Sequence, residues 1–171
     1  MNREEAKRLK ELSYRMMIDV LQMTTEAGSG HPGGSLSSKD IIAVLFFKIM
    51  RHNPKNPTWE DRDRLVFSKG HAVPILYAAL IEAGYLDRSY ITKLRKFGSP
   101  LQGHPEWNPS LMIEATTGSL GNGLATKGKG SLIGEWVTEF HGKPLSKAEL
   151  EKLLPQLEEK HIEEMKEIDV N

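Results

Sequence analysis

Apolar side chains at Leu9, Leu12, Met16, Val20 and Met23 recur at spacings of three and four. That period predicts an amphipathic helix from about Arg3 to Ala27, with Gly28 as its stop. Gly28-Ser29-Gly30-His31-Pro32-Gly33-Gly34 follows, and so many glycines and a proline predict a loop. Ser37-Ser38-Lys39-Asp40 has the form of a capping box, with Asp in place of the usual Glu, and should open a second helix running to about Met50. Ile41, Ile42, Val44, Leu45, Phe46, Phe47 and Ile49 make that helix apolar nearly all round, so it is expected to be buried on several sides. His52 to Pro57 is a second loop. Leu65-Val66-Phe67-Ser68 is the one convincing short strand, and after Gly70-His71 a third helix is predicted over Ala72 to Ala83, with Pro74 in its first turn. Strand, glycine turn and helix in that order are the grammar of an α/β domain.

A fourth helix is expected from about Ser89 to Phe97, ending at Gly98. The stretch Ala115 to Ala125 reads as a glycine loop about to enter a helix, but Thr126-Lys127-Gly128-Lys129-Gly130 comes at once and is poor helix material. Ser131 to Ile133 suits a small strand. Ser146-Lys147-Ala148-Glu149 is a capping box, with Leu145 and Leu150 placed for a hydrophobic staple. The helix it announces carries the stripe Leu150, Leu154, Leu157, His161, Met165 and Ile168, and Pro155 should kink or divide it.

Composition narrows the function classes. The 171 residues suit one domain. Lys plus Arg and Asp plus Glu are 23 each, so the zero net charge speaks against a nucleic-acid binder, which needs a basic excess. Cysteine is absent, which excludes disulfides, thiolate catalysis and Cys-ligated zinc. No apolar run suits a membrane span and no apolar signal core follows the first residues, so a cytoplasmic location is expected. The charge is uneven: Ser131 to Asn171 holds ten acidic and five basic residues, a net of −5, and the first 130 residues carry +5. The sign changes at Lys127-Gly128-Lys129-Gly130.

Four of the six histidines, His31, His71, His104 and His141, lie in glycine- or proline-rich loops. Loops on a rigid scaffold carry sites, and imidazole moves protons near neutral pH. A lone Gly-His pair is more often a solvated turn, so it is the repetition that suggests chemistry. His52 is expected to end a helix, where its charge suits the dipole, and His161 to lie beside an amphipathic stripe with its polar end in water. Trp59, Trp107 and Trp136 are assigned to core or loop packing. Zinc is weakly supported, because its ligands would have to come from separate loops. The glycines from Thr117 to Gly123 would let backbone N–H groups approach an anion.

Five segments together resemble the N-terminal, thiamine-diphosphate-binding half of transketolases. They are Ser29-Gly30-His31-Pro32-Gly33-Gly34-Ser35-Leu36-Ser37, His52 to Arg64, Phe67-Ser68-Lys69-Gly70-His71-Ala72, Leu94 to Pro105, and Thr116-Thr117-Gly118-Ser119-Leu120-Gly121-Asn122-Gly123. Deoxyxylulose-phosphate synthases share parts of the pattern, but Pro32 and Gln102-Gly103-His104-Pro105 look more like transketolase. The resemblance implies an α/β, parallel-sheet fold, here mostly helical in content. It implies an enzyme that moves a two-carbon ketol unit from a ketose phosphate to an aldose phosphate, using thiamine diphosphate and Mg²⁺. By position, His31, His71 and His104 match the catalytic loop histidines. His71, Gly118, Ser119, Leu120 and His141 match residues that touch the cofactor.

The departure from the family is as specific. No Gly-Asp-Gly run occurs, so the family's metal ligands have no counterpart and no metal residue is assigned. Residues 1–125 resemble the start of the domain, whereas 126–171 resemble its end, a strand plus a helix joined after a missing middle. The helices left uncovered should then expose apolar surface. The glutamate that activates the cofactor belongs, in the family, to a second domain outside this chain. The resemblance therefore implies inactivity alone and a transketolase C-terminal subunit or domain as partner, in a homo-oligomer, with neither nucleic acid nor membrane involved. The alternatives are a non-catalytic interaction or ligand-binding module, and a degraded or mis-assembled gene product.

Overall fold

The structure is a computed structural model, and it describes residues 2–125, 131–133 and 146–170. Helix α1 (Arg3–Ala27) begins where the Asn2 side chain accepts from the Glu5 N–H, and it ends at Gly28, whose φ of 63° only glycine adopts cheaply. Leu9, Leu12, Met16, Val20 and Met23 are all buried, as the period requires.

The next segment departs from the expected loop. Pro32–Leu36 forms a short helix, α2, with its proline in the first turn where no N–H is needed. Helix α3 (Lys39–Val44) continues into a π-helical turn, Leu45–Ile49. The Ser37/Asp40 capping box does not form. The Ser37 and Ser38 hydroxyls donate to the Gly34 carbonyl and accept from the Lys69 ammonium, while Asp40 turns to Ser13 and Lys39. Nor is this helix buried all round: Ile42, Ala43 and Phe46 are covered, but Ile41 and Ile49 are exposed.

Strand β1 (Arg64–Val66) runs into a 3₁₀ turn at Gly70–Ala72 and then into α4 (Val73–Glu82). Every residue of α4 from Val73 to Ile81 is buried. This helix is the centre of the core, with α1 and α3 packed against it. Burial of so many aliphatic side chains, each worth roughly 1.5–3 kcal/mol, makes it the main stabilising element.

The fourth helix is a correction. Only Arg88–Lys93 is helical, and it is 3₁₀. The chain leaves it at Leu94, and Arg95 has a left-handed φ of 58° because its N–H donates to the Leu101 carbonyl. A further 3₁₀ turn spans Pro109–Leu111. The glycine loop does enter a helix, α5 (Asn122–Ala125), and the residues that follow, 126–130, lie outside the described residues.

Strand β2 (Ser131–Ile133) pairs in parallel with β1, Arg64 opposite Ser131 and Val66 opposite Ile133. Two parallel strands joined by a long crossover are the α/β signature, and among the described residues they are the whole sheet. Helix α6 (Lys147–Val170) opens with the expected reciprocal cap between Ser146 and Glu149. It runs through Pro155 without being divided. Pro155 and Glu151 are exposed, so water can take the Glu151 carbonyl that the proline leaves unpaired. The helix lies on α1 through Lys10–Glu164 and His161–Glu11, both at 2.8 Å, and Lys147–Glu26 at 3.0 Å. His161 is therefore buried, stacked on Tyr14 with ring centroids 3.9 Å apart, and not a residue with its polar end in water. No helix among the described residues is long and apolar enough to cross a membrane.

Candidate functional site

The carboxyl end of β1 is where three loops meet. Phe67-Ser68-Lys69-Gly70-His71 leaves the strand, and its polar atoms hold the neighbours. The Phe67 carbonyl accepts from Thr117 Oγ1 at 2.7 Å, and Ser68 Oγ accepts from the Gly123 N–H at 3.2 Å. A Cβ on Gly70 would lie 2.6 Å from the Thr117 carbonyl oxygen and 2.9 Å from the Gly118 nitrogen. Only glycine at position 70 lets the 117–123 loop lie against the strand end.

Lys69 fixes the second loop. Its ammonium is buried and donates to the Gly34 carbonyl at 2.9 Å and to Ser37 Oγ and Ser38 Oγ at 3.1 Å each. Burial holds its pKa below the ordinary lysine value. Ser35 adds a bond from its hydroxyl to the Ala72 carbonyl at 3.1 Å. Helix α2 is thus pinned beside the 3₁₀ turn, and the two imidazoles meet edge to face: the His31 and His71 ring centroids are 5.3 Å apart at 71°. His71 Nε2 also lies 3.3 Å from where Gly34 would carry a Cβ.

The third loop brings His104. Its ring packs on Gly118, with Cδ2 3.3 Å from the position of a Cβ there. From α4, the Tyr77 hydroxyl lies 3.0 Å from the Gln102 carbonyl and 3.4 Å from that of His104. Burial pushes the Tyr77 phenol above its usual pKa, so it stays a hydrogen-bond donor.

His31, His71, His104 and Gly118 are therefore linked by contacts around one strand end. Ser119 and Leu120 are exposed on its rim. His141 lies outside the described residues, as do Trp136, Leu145 and the Lys127–Gly130 run. His52 is apart from this cluster. It meets the expected helix end, its Nε2 2.7 Å from the Phe46 carbonyl, while Nδ1 pairs with the Tyr85 hydroxyl at 3.0 Å. Trp107 is exposed and does not belong to the core.

Sequence reasoning missed Lys69, Tyr77, Arg95 and Thr117. The signal for three of them was that Lys69, Arg95 and Thr117 lie in segments that carry the family resemblance.

In the 117–123 loop the Cα face of Gly118 is covered by the His104 ring, and its neighbours Ser119 and Leu120 are exposed. The described residues gather no ligand set for Mg²⁺. Among the described residues no three His, Asp or Glu side chains gather, and a hard cation needs several oxygen ligands.

The family model of the transketolase thiamine diphosphate binding domain matches residues 10–144. Human transketolase is 45% identical over 123 residues, 72% of this chain and 20% of that protein. The 6-deoxy-6-sulfo-D-fructose transketolase subunit SqwG of Clostridium sp. (strain MSTE9) is 44% identical over 106 residues, 62% of this chain and 38% of that protein. Among solved structures, transketolase from Campylobacter jejuni superposes with a TM-score of 0.64 at 44% identity over 68% of this chain and 18% of that one. Transketolase from Leishmania mexicana gives 0.65 at 36% identity over the same shares. The chain spans about a fifth of the length of the transketolases it matches.

Proposed function

Because this chain belongs to the transketolase family through its thiamine-diphosphate-binding domain, we propose that it supplies the histidine-bearing half of a transketolase-type site. The reaction is transfer of a two-carbon ketol unit from a ketose phosphate to an aldose phosphate. The observation that carries this reading is the meeting of His31, His71, His104 and Gly118 around the end of β1. When bound, thiamine diphosphate supplies the nucleophile and the electron sink. The chain's residues do the rest of this half's work. Gly118, Ser119 and Leu120 line the cofactor's side, joined by His71 and by His141 outside the described residues. A ring nitrogen of His31, His71 or His104 holds or moves the proton of the substrate hydroxyl. Mg²⁺ is not held by the described residues, and no step here depends on it.

We further propose that residues 1–125 and 126–171 are the start and end of one domain whose middle is missing. The parallel pairing of β1 with β2 supports a single domain, and the absence of Gly-Asp-Gly supports the missing middle. On this reading the chain is inactive alone and works, in a soluble cytoplasmic assembly, with a transketolase C-terminal chain. That SqwG is itself named a subunit supports such a division.

The test is turnover of a ketose phosphate and an aldose phosphate with thiamine diphosphate and Mg²⁺. The isolated chain is expected to be silent and a mixture with a separately expressed transketolase C-terminal portion active. Turnover by the isolated chain would overturn the inactivity. The second reading, a non-catalytic interaction or ligand-binding module, is favoured by the missing Gly-Asp-Gly run. It predicts no heat of thiamine diphosphate binding by calorimetry.

A further inference from the structure

The Arg95 side chain touches both the loop before His31 and the loop before His104. Its backbone is left-handed, with φ at 58°, a conformation that a non-glycine residue keeps only where its surroundings demand it. Its N–H donates to the Leu101 carbonyl at 2.8 Å, folding residues 95–101 into a closed turn. From there Nη1 donates to Ser29 Oγ at 3.2 Å, two residues before His31. The rest of the guanidinium occupies the space that a side chain at Gly103 would need. Nε is 2.8 Å, and Cζ and Nη2 are 3.0 Å, from a Cβ placed there. Gly103 immediately precedes His104.

Glycine or asparagine would suit the backbone of position 95 better than arginine does, so the backbone does not explain the residue. Nor does an ion pair, because no carboxylate pairs with Arg95 among the described residues. What its length and planar head accomplish is to fill the gap between Ser29 and Gly103. The His104 loop is also held by the Tyr77 hydroxyl, so Arg95 is its second anchor.

We propose that Arg95 is a positioning residue, whose guanidinium, wedged between Ser29 and Gly103, sets the spacing of the His31 loop from the His104 loop. The significance for catalysis rests on the functional reading above, but the principal readout does not.

Gly103→Ala is the sharpest variant. The three atoms nearest the added methyl all belong to the far end of a flexible side chain, so the fold can be kept while the guanidinium is pushed out. Arg95→Ala removes the wedge, and Ser29→Ala removes its hydrogen-bond acceptor. The full chain would be examined by NMR of the histidine ring C–H signals, assigned through His→Gln variants, together with thermal denaturation. His52 and His161 serve as controls, since their partners are Tyr85, Phe46, Glu11 and Tyr14. Arg95→Ala and Gly103→Ala are each expected to shift the His31 and His104 signals, leave those of His52 and His161 in place, and barely alter the melting temperature. The double variant should shift them no further than either single one, because both remove the same contact.

Unmoved His31 and His104 signals in folded Gly103→Ala would overturn the proposal. So would equal movement of all four histidines, which marks a general loosening. If Arg95→Ala fails to fold, Gly103→Ala and Ser29→Ala decide alone. Absence of thiamine diphosphate binding by the unaltered chain would sink the functional reading and leave this result standing.

Discussion

Asp19 is wholly buried on α1, with its Oδ1 2.5 Å from Arg88 Nη2 and its Oδ2 without a hydrogen-bond donor. Glu82 competes for the same cations, pairing with Arg88 at 2.8 Å and Arg15 at 2.7 Å. Burial outweighs the arginines and raises the Asp19 pKa from 3.8 to about 6. A carboxyl whose pKa is higher in the folded state binds more protons there. Its contribution to stability is therefore full below about pH 4 and is lost as the pH rises through about 6. Other carboxylates, such as Asp63 and Asp40, are shifted down and act in the opposite sense, so the total curve does not isolate Asp19. The difference between the chain and Asp19→Asn does. The stability advantage of the aspartate over the asparagine should shrink from pH 4 to pH 6 in urea titrations, and a flat difference would contradict the assignment. Lys69 is the second residue with a large role. Lys69→Met keeps the aliphatic stem and removes three charged donor contacts to Gly34, Ser37 and Ser38. Hydrogen bonds to charged groups are worth about 1.5–3 kcal/mol net, so the variant should unfold at clearly lower urea concentration. An unchanged midpoint would show that the α2 contact is dispensable.

At the scale of elements, α6 depends on one buried aromatic contact more than on its ion pairs. Lys147–Glu26 and Lys10–Glu164 are partly solvated, and such pairs contribute little. His161 by contrast stacks on Tyr14 and reaches Glu11. His161→Ala should speed amide exchange throughout α6 while the amides of α4 keep their protection. Equal protection of both helices in the variant would show that the apolar stripe alone seats α6. The long helices were legible because their contacts follow a single period: the stripes of α1 and α6 can be read without knowing what covers them. The failures have a common cause in long-range partners. The capping box at Ser37 was undone by Lys69, 31 and 32 residues away from the two hydroxyls it claims. The helix expected through Phe97 stops at Lys93 because Arg95 is drawn to Leu101 and to Ser29, the latter 66 residues away. The site divides in the same way. His31, His71 and His104 stood out through glycine neighbours, whereas Tyr77 is hidden in a helix buried from Val73 to Ile81 and Arg95 in a stretch that looked like helix surface.

Over the whole molecule, among the described residues, the three most exposed large apolar side chains lie in the site-bearing loops, while Ile41, Ile49, Trp59 and Ile162 are exposed elsewhere. Phe97 is fully exposed and follows Arg95 by two residues, Trp107 follows His104 by three, and Leu120 follows Gly118 by two, the last two each 63% exposed. Single exposed apolar residues are ordinary on a protein surface, but their concentration in the loops that carry the histidines is what a half-site would show. Since Phe97 is fully exposed and Trp107 is 63% exposed, the double substitution Phe97→Ser and Trp107→Ser should change stability by no more than about 0.5 kcal/mol. If these side chains are instead covered by a transketolase C-terminal chain, the same double variant should lower the turnover regained on mixing. The two measurements separate the cases. A drop in melting temperature would place the side chains in this chain's own packing, and full turnover on mixing would place any partner elsewhere. Unchanged melting with reduced turnover is the expected pair, because the surface left bare in one polypeptide is then completed by another.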